Sequence, residues 1–143
     1  MRRAALALPL ALLAAGCAAY GAQDTSTVIG APVPGEVTTL TAAELAPLVE
    51  AGEIVLIDVR TPEEFAQGYI PGAVNMPLAD FDPHALPDPD EGEIILYCRS
   101  SGRSGQAATQ YVEATGLSIR HLEGGILAWQ AAGLPLEGAL GGN

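Results

Sequence analysis

The residue best suited to covalent chemistry is Cys98, which directly follows the apolar run 94–97. Small and cationic residues come next in the chain: Arg99, Ser100, Ser101, Gly102, Arg103 and Ser104. Small residues between a strand and a helix let backbone N–H groups turn inward, and the start of the helix adds partial positive charge. Both features lower the pKa of a cysteine and stabilise a thiolate or a persulfide. We therefore predict a nucleophilic Cys98 at the base of an anion-binding loop, with no separate general base.

A small core residue at a strand end is the alternative interpretation of Cys98, since an unreactive cysteine packs well in a protein interior. Packing in a core does not explain why two arginines, several serines and a glycine directly follow the cysteine. The composition of the loop therefore favours the reactive thiol. At least one of Arg99 and Arg103 is expected to bind an oxyanion substrate.

The loop is positively charged, whereas the chain as a whole is strongly acidic. The protein has 143 residues, 17 of them acidic, against 6 Lys and Arg, and its formal net charge is −11. Such an acidic protein repels the nucleic-acid backbone, so nucleic acid is excluded as a partner. Two of the six arginines lie within six residues of Cys98, which predicts a small anionic ligand there.

The first 16 residues predict a lipoprotein signal peptide. Arg2 and Arg3 form a positive start, residues 4–15 are apolar, and the segment Leu-Ala-Ala-Gly before Cys17 resembles a lipobox. Lipidation of Cys17 would leave Cys98 without a disulfide partner, because the chain has only two cysteines. We expect a chain that is lipid-anchored to a bacterial membrane in the cell envelope, facing the periplasm or the outside. An ordinary secretory signal or a short apolar anchor is the alternative.

Three segments follow from this interpretation: the signal peptide at 1–16, a lipidated Cys17 with a flexible tether at 17–36, and one domain at 37–143. Within the domain, the apolar runs 54–57 and 94–97 predict strands buried on both faces. A short strand is expected around Val74 and another at 118–122, whereas 80–90 is expected to be irregular apart from one helical turn. Capping signals and apolar spacing predict helices at 42–50, just after Thr61, at 105–115 and at 126–132. This alternation predicts an α/β fold with a parallel sheet.

Three stretches resemble the rhodanese family. They are IDVRTPEEFAQGYIPGAVNMPL at 57–78, the CRSSGRS loop at 98–104, and LEGGILAWQAAGLPL at 122–136. The resemblance covers about 40–136. It implies a rhodanese-like three-layer fold with a central parallel sheet flanked by helices. It also implies that Cys98 accepts sulfane sulfur, typically from thiosulfate, and passes it as a persulfide to a thiol or cyanide.

Two residues depart from the family pattern. Tyr69 stands where a histidine usually precedes the Ile-Pro-Gly turn, and Ser101 stands where a glycine is often found. Because serine is less free than glycine in its backbone angles, Ser101 puts donor specificity in question more than reaction type.

The remaining polar candidates are given supporting or structural roles. Asp58 and Arg60 are expected to brace the site, Trp129 to pack in the core, and Glu123 to be structural. His84 and His121 share no ligand spacing with another histidine or with a cysteine, so neither a metal nor a cofactor is implied.

Two other functions remain open at this point. A phosphatase or arsenate reductase of related fold has five residues between cysteine and arginine, whereas four separate Cys98 from Arg103. A membrane-tethered persulfide carrier that delivers sulfur to a protein partner would use the same residues as the enzyme. The sequence therefore does not separate the carrier from the enzyme.

Overall fold

A five-stranded, all-parallel sheet forms the centre of the computed structural model, which describes residues 35–138. The strand order is β1-β5-β4-β2-β3. The strands are β1 (Val37–Leu40), β2 (Ile54–Asp58), β3 (Val74–Asn75), β4 (Glu93–Tyr97) and β5 (Ile119–Leu122). The predicted signal peptide, Cys17 and the tether up to residue 34 lie outside the described residues.

The apolar runs place β2 and β4 side by side in the interior of the sheet. Their register pairs Ile54 with Glu93 and Asp58 with Tyr97. All residues of β4 after Glu93 are buried, as expected for a strand covered on both faces. The two strands therefore end at the same edge, and Cys98 follows β4 at that edge.

Helices cover both faces of the sheet. They are α1 (Ala42–Ala51), α2 (Pro62–Ala66), α3 (Gly102–Thr115) and α4 (Gly125–Ala131). One core packs Leu45 of α1 and Trp129 of α4 against the sheet, and the other packs Ala107 and Tyr111 of α3 against the opposite face. The predicted three-layer α/β fold is confirmed.

Capping residues set the starts of the first two helices. Thr41 and Glu44 form a capping box at α1, and Thr61 and Glu64 form a second one at α2. In each box the threonine accepts from the backbone of the acid while the acid accepts from the backbone of the threonine, so free N–H groups of the first turn are satisfied. Gly52 ends α1 with a φ of 70°.

The structure differs from the sequence prediction at several boundaries. Strand β1 was not predicted, and it pairs with β5 from Val37–Ile119 onward. Gly35 and Glu36 were assigned to the tether, but Glu36 bonds to Ser118 through its N–H and to Ile119 through its carbonyl. Three single-turn 3-10 helices replace the one helical turn expected in the acidic segment: Leu78–Asp80, Pro83–Ala85 and Pro89–Glu91.

Helix α3 begins earlier than the predicted residue 105. Its first residue is Gly102, because the chain turns sharply at Ser101, which has a positive φ. Gly102, Arg103 and Ser104 therefore lie in the first turn of α3 and not in the loop before it.

Across residues 35–138, we find no helix that is both long enough and apolar enough to span a bilayer.

Candidate active site

Cys98 lies at the carboxyl edge of the sheet, where the chain leaves β4. The residue is 1% exposed, and its sulfur accepts a hydrogen bond from the Ser101 backbone N–H at 3.2 Å. The loop therefore bends back over its own cysteine, with the Ser101 N–H turned toward the sulfur.

Hydrogen bonds to the sulfur decide the ionisation of Cys98. Burial opposes a charged thiolate and by itself raises the pKa. The Ser104 hydroxyl, the Ser104 N–H and the N–H groups of Ser100 and Ser101 outweigh that effect, so the pKa of Cys98 is lowered. The loop therefore favours the thiolate, which is the nucleophilic form.

The first turn of α4 is hydrogen-bonded to the backbone at the start of the loop. Ile126 N–H donates to the carbonyl of Cys98 at 2.9 Å, and Leu127 N–H donates to that of Arg99 at 3.2 Å. Gly125 has a φ of 58°, and a side chain there would collide with the carbonyls of Cys98 and Arg99. Glycine at this position thus lets the α4 backbone approach the loop closely.

Ser101 joins the loop to the turn between β5 and α4. Its hydroxyl donates to the Leu122 carbonyl at 3.3 Å and accepts from the Gly124 N–H at 2.6 Å. Ser101 is also the only non-glycine residue with a positive φ, 87°, in the part of the chain that the structure describes. The residue expected to restrict the loop adopts the glycine-like conformation and is held there by its side chain.

The two loop arginines differ in what they contact. Arg103 donates both terminal nitrogens to the Glu64 carboxylate, at 2.6 and 2.8 Å. This pair raises the pKa of Arg103 and lowers the pKa of Glu64 to about 2. Arg99 is exposed and is the one arginine within 35–138 without a salt bridge. Arg99 is therefore the loop arginine available to a substrate anion.

Asp58 and Arg60 form a buried ion pair beside the loop. The Arg60 guanidinium donates to Asp58 at 2.6 to 3.0 Å and to the Gly68 carbonyl at 2.8 Å. Asn75 donates to the carbonyls of both residues. The pair thus anchors the segment between α2 and β3, and its hydrogen bonds do not reach residues 98–104.

A half-open cavity of about 290 Å³ borders the loop. Arg60 and Arg99 supply positive charge, and Gln67 and Gln130 supply amides. Glu64, which is paired with Arg103, and Gly68 also line it, and Ile126, Leu127 and Leu136 supply apolar surface. An anion with an apolar portion fits such a lining.

Two contacts of the site have no local signal in the sequence. Glu64, which caps α2, also binds Arg103. His121, treated as isolated, lies 3.1 Å from the Ser104 hydroxyl through its Nδ1. Both pairs join residues that are far apart in sequence. The one signal for His121 is the alternation of side chains along a strand, which places it on the α3 face of β5.

The other polar predictions have structural places. Trp129 is 1% exposed in the core and donates to the Pro135 carbonyl at 2.7 Å. His84 and Glu123 are exposed. No cluster of histidine, cysteine and acidic side chains able to hold a metal occurs among residues 35–138.

Comparison with known proteins agrees with this geometry. Residues 41–132 match the family described as "Rhodanese-like domain". A "Sulfurtransferase" of Allochromatium vinosum is 36% identical over 89 residues, which are 62% of this chain and 83% of that protein. A protein of Synechocystis sp. is 42% identical over 97 residues, 68% of this chain and 54% of its own length.

A solved structure shows the same fold. The crystal structure of a thiosulfate sulfurtransferase from Pseudomonas aeruginosa has a TM-score of 0.63 and 28% identity, covering 71% of this chain and 20% of that one. The chain spans about half the length of the first curated relatives it matches. The match over residues 41–132, together with the shared fold, shows that the chain belongs to the rhodanese-like domain family.

Proposed function

We propose that the domain is a sulfurtransferase that carries sulfane sulfur as a persulfide on Cys98. One observation carries this proposal: the cysteine sulfur is buried, yet the Ser101 backbone N–H donates to it at 3.2 Å and the surrounding loop lowers its pKa. This environment suits a sulfur that alternates between a thiolate and a terminal persulfide anion. The sulfurtransferases among its relatives support the same chemistry.

Thiosulfate or a similar anion is the proposed donor. The Cys98 thiolate attacks the outer sulfur, the S–S bond of thiosulfate breaks, and sulfite leaves with the electron pair. Arg99, exposed and without a salt bridge to any described residue, attracts the donor dianion. The proposed substrate-binding residues remain Arg99, Ser100, Ser101, Gly102, Arg103 and Ser104. In this proposal Arg103 acts indirectly, because its terminal nitrogens bind Glu64.

The second half-reaction returns the enzyme to its starting state. A thiolate or cyanide attacks the outer sulfur of the persulfide, the Cys98–sulfur bond breaks, and the Cys98 thiolate is regenerated. Atoms and electrons balance over the two steps without a metal or redox cofactor.

Arg103 argues against a phosphatase or arsenate reductase. In the proposed alternative this arginine would bind the oxyanion within the loop, but both of its terminal nitrogens are bound to Glu64. Hydrolysis of an aryl phosphate by the purified protein would instead favour the phosphatase over the sulfurtransferase.

Intact mass spectrometry tests the proposal. Incubation with thiosulfate should add about one sulfur atom, located on the Cys98 peptide, and cyanide should remove it with release of thiocyanate. Cys98→Ser should abolish both steps, whereas Cys17→Ser should leave them intact. Sulfur transfer by Cys98→Ser would refute the proposal.

The rate of continuous turnover distinguishes an enzyme from a persulfide carrier. An enzyme should release thiocyanate or sulfite continuously from free donor and acceptor. A carrier should load once, turn over slowly, and bind one protein partner in a Cys98-dependent manner.

We also propose that Cys17 is lipidated and anchors the domain in the cell envelope. The apolar segment and the lipobox-like residues before Cys17 support this proposal. Mass spectrometry of the membrane fraction should find a lipid-modified N-terminal Cys17. An unmodified Cys17 would refute it.

A further inference from the structure

One wall of the cavity that borders the loop comes from the 134–138 segment, which follows helix α4. Leu136 of this segment is partly buried and lines the cavity together with Ile126 and Leu127 of α4. The backbone N–H groups of these two α4 residues donate to carbonyls of the loop. The apolar wall therefore lies next to the loop that holds the nucleophile.

Tyr69, which departs from the family pattern, fixes this segment in place. Its N–H donates to the Glu137 carbonyl and its carbonyl accepts from the Glu137 N–H, both at 2.9 Å. Its ring stacks on Phe65 with the ring centroids 4.1 Å apart. A side chain at Gly138 would collide with the same ring, so the backbone of Gly138 lies close against it. Leu136 directly precedes Glu137 and is thereby held at the cavity.

A second attachment lies on the other side of Leu136. The indole N–H of Trp129 donates to the Pro135 carbonyl at 2.7 Å. Both chain neighbours of Leu136 are thus hydrogen-bonded to the rest of the fold. The apolar wall is formed before a ligand binds, which lowers the entropic cost of binding.

The charged residues that line the cavity leave one positive charge without a counter-charge. Arg60 is paired with Asp58, and Glu64 is paired with Arg103. Arg99 has no salt bridge among residues 35–138. Charge complementarity therefore favours a singly charged anion over a dianion.

The size and lining of the cavity fit an organic anion better than an inorganic one. Its volume of about 290 Å³ is close to the lower limit for sites of small organic molecules, roughly 300 Å³. The side-chain amides of Gln67 and Gln130 can donate to oxygen atoms of a ligand. An inorganic anion would leave the apolar surface of Ile126, Leu127 and Leu136 in water.

We propose that Tyr69 and the 134–138 segment form a specificity-determining wall, and that the cavity binds the apolar group of an organic thiosulfonate, a singly charged sulfur donor. This inference rests on the proposed function and names its donor class. The Cys98 thiolate attacks the outer sulfur of the thiosulfonate, the S–S bond breaks, and an organic sulfinate leaves with the electron pair. Arg99 binds the sulfonyl oxygens while Leu136 contacts the apolar group.

Binding of an unreactive sulfonate to the full chain tests the cavity without any sulfur transfer. Benzenesulfonate and methanesulfonate carry the same anionic group and differ in the size of the apolar group. In a titration followed by NMR, benzenesulfonate should shift the side-chain amide signals of Gln67 and Gln130. It should bind about tenfold more tightly than methanesulfonate, because it removes more apolar surface from water. Equal affinities, or shifts confined to other residues, would overturn the proposal.

Truncation of Leu136 tests the wall in the reaction. The measured quantity is the ratio of kcat/KM for benzenethiosulfonate to kcat/KM for thiosulfate. Leu136→Ala should lower this ratio about tenfold, because it removes apolar contact that only the organic donor makes. Leu134→Ala is the matched control, since Leu134 packs against the same core but lines a different cavity beside Trp129. Its ratio should match that of the wild type, and an equal fall in both variants would overturn the proposal.

Two further variants keep the test valid if Leu136→Ala fails to fold. Leu127 is 41% exposed, so Leu127→Ala should leave the core intact and still lower the ratio. Tyr69→Ala removes the ring that contacts Phe65 and Gly138 and should lower the ratio in the same direction. A wild-type ratio in both variants would overturn the proposal.

The binding and rate measurements distinguish failure of this inference from failure of the proposed function. If benzenesulfonate binds in the cavity but neither donor loads Cys98 with sulfur, the proposed function fails and the donor assignment fails with it. If thiosulfate loads Cys98 but benzenesulfonate binds no more tightly than methanesulfonate, the donor assignment alone fails.

Discussion

The backbone N–H of Ser101 donates to the sulfur of Cys98 at 3.2 Å, and Ser101 holds a left-handed φ of 87° to do so. A non-glycine residue in that region costs roughly 1–2 kcal/mol. Its hydroxyl compensates for this strain by donating to the Leu122 carbonyl and accepting from the Gly124 N–H. The same residue therefore shapes the loop and fastens it to the rest of the fold.

Replacement of Ser101 separates backbone strain from hydroxyl bonding. Ser101→Ala keeps the strained φ and loses both hydroxyl bonds, so it should lower the free energy of unfolding by about 1–3 kcal/mol. Ser101→Gly loses the same bonds but relieves the strain, and its loss should be smaller. Urea denaturation of both variants provides the comparison. A larger loss for glycine than for alanine would contradict this account.

Arg99 should determine the affinity for an anionic donor. Arg99→Gln should raise the KM for thiosulfate about tenfold, since a charge-assisted hydrogen bond contributes roughly 1.5–3 kcal/mol. Arg120→Gln, which removes an arginine paired with Glu93, is the matched control for net charge and should leave KM nearly unchanged. Initial rates at several thiosulfate concentrations measure both, and equal effects would show that Arg99 acts only through overall charge.

The Asp58–Arg60 pair should be important for stability. Asp58→Asn leaves the Arg60 guanidinium buried beside a neutral amide, and breaking a buried pair in this way costs about 3–5 kcal/mol. The exposed Asp80→Asn controls for the chemical change and should cost little. Thermal and urea unfolding measure the difference. Similar stability of the two variants would mean that water reaches Arg60.

The Glu64–Arg103 pair predicts a dependence of stability on acid pH. The pKa of Glu64 is lowered from 4.5 to about 2 in the folded protein, with the hydrogen bond from Arg103 as the largest cause. The stability that the ionised Glu64 contributes to the folded protein is therefore present above pH 4.5 and lost as pH falls toward about 2. Glu64→Gln should lack that part of the stability loss, whereas the exposed neighbour Glu63→Gln should retain it. Urea unfolding at pH 5 and at lower pH tests the difference.

The sequence by itself determined the main features of the fold. Buried β-branched runs, two capping boxes and helix-ending glycines are local signals, and they correctly predicted strands β2 and β4 and helices α1 and α2. The position of Cys98 at a strand end also followed from sequence, because an apolar run leads directly into it. The short strand β1 was missed, since its pairing with β5 joins residues about 80 positions apart in the chain.

Only the tertiary structure decided which charges and hydroxyls act together at the site. Both loop arginines look equivalent in sequence, yet Arg103 is bound to Glu64, 39 residues away, and Arg99 has no salt bridge among residues 35–138. Ser104 and His121 are 17 residues apart and meet because β5 packs beneath α3. Hydrogen bonds depend on distances of about 3 Å and on direction, and such distances between remote residues are set by the packing of whole elements.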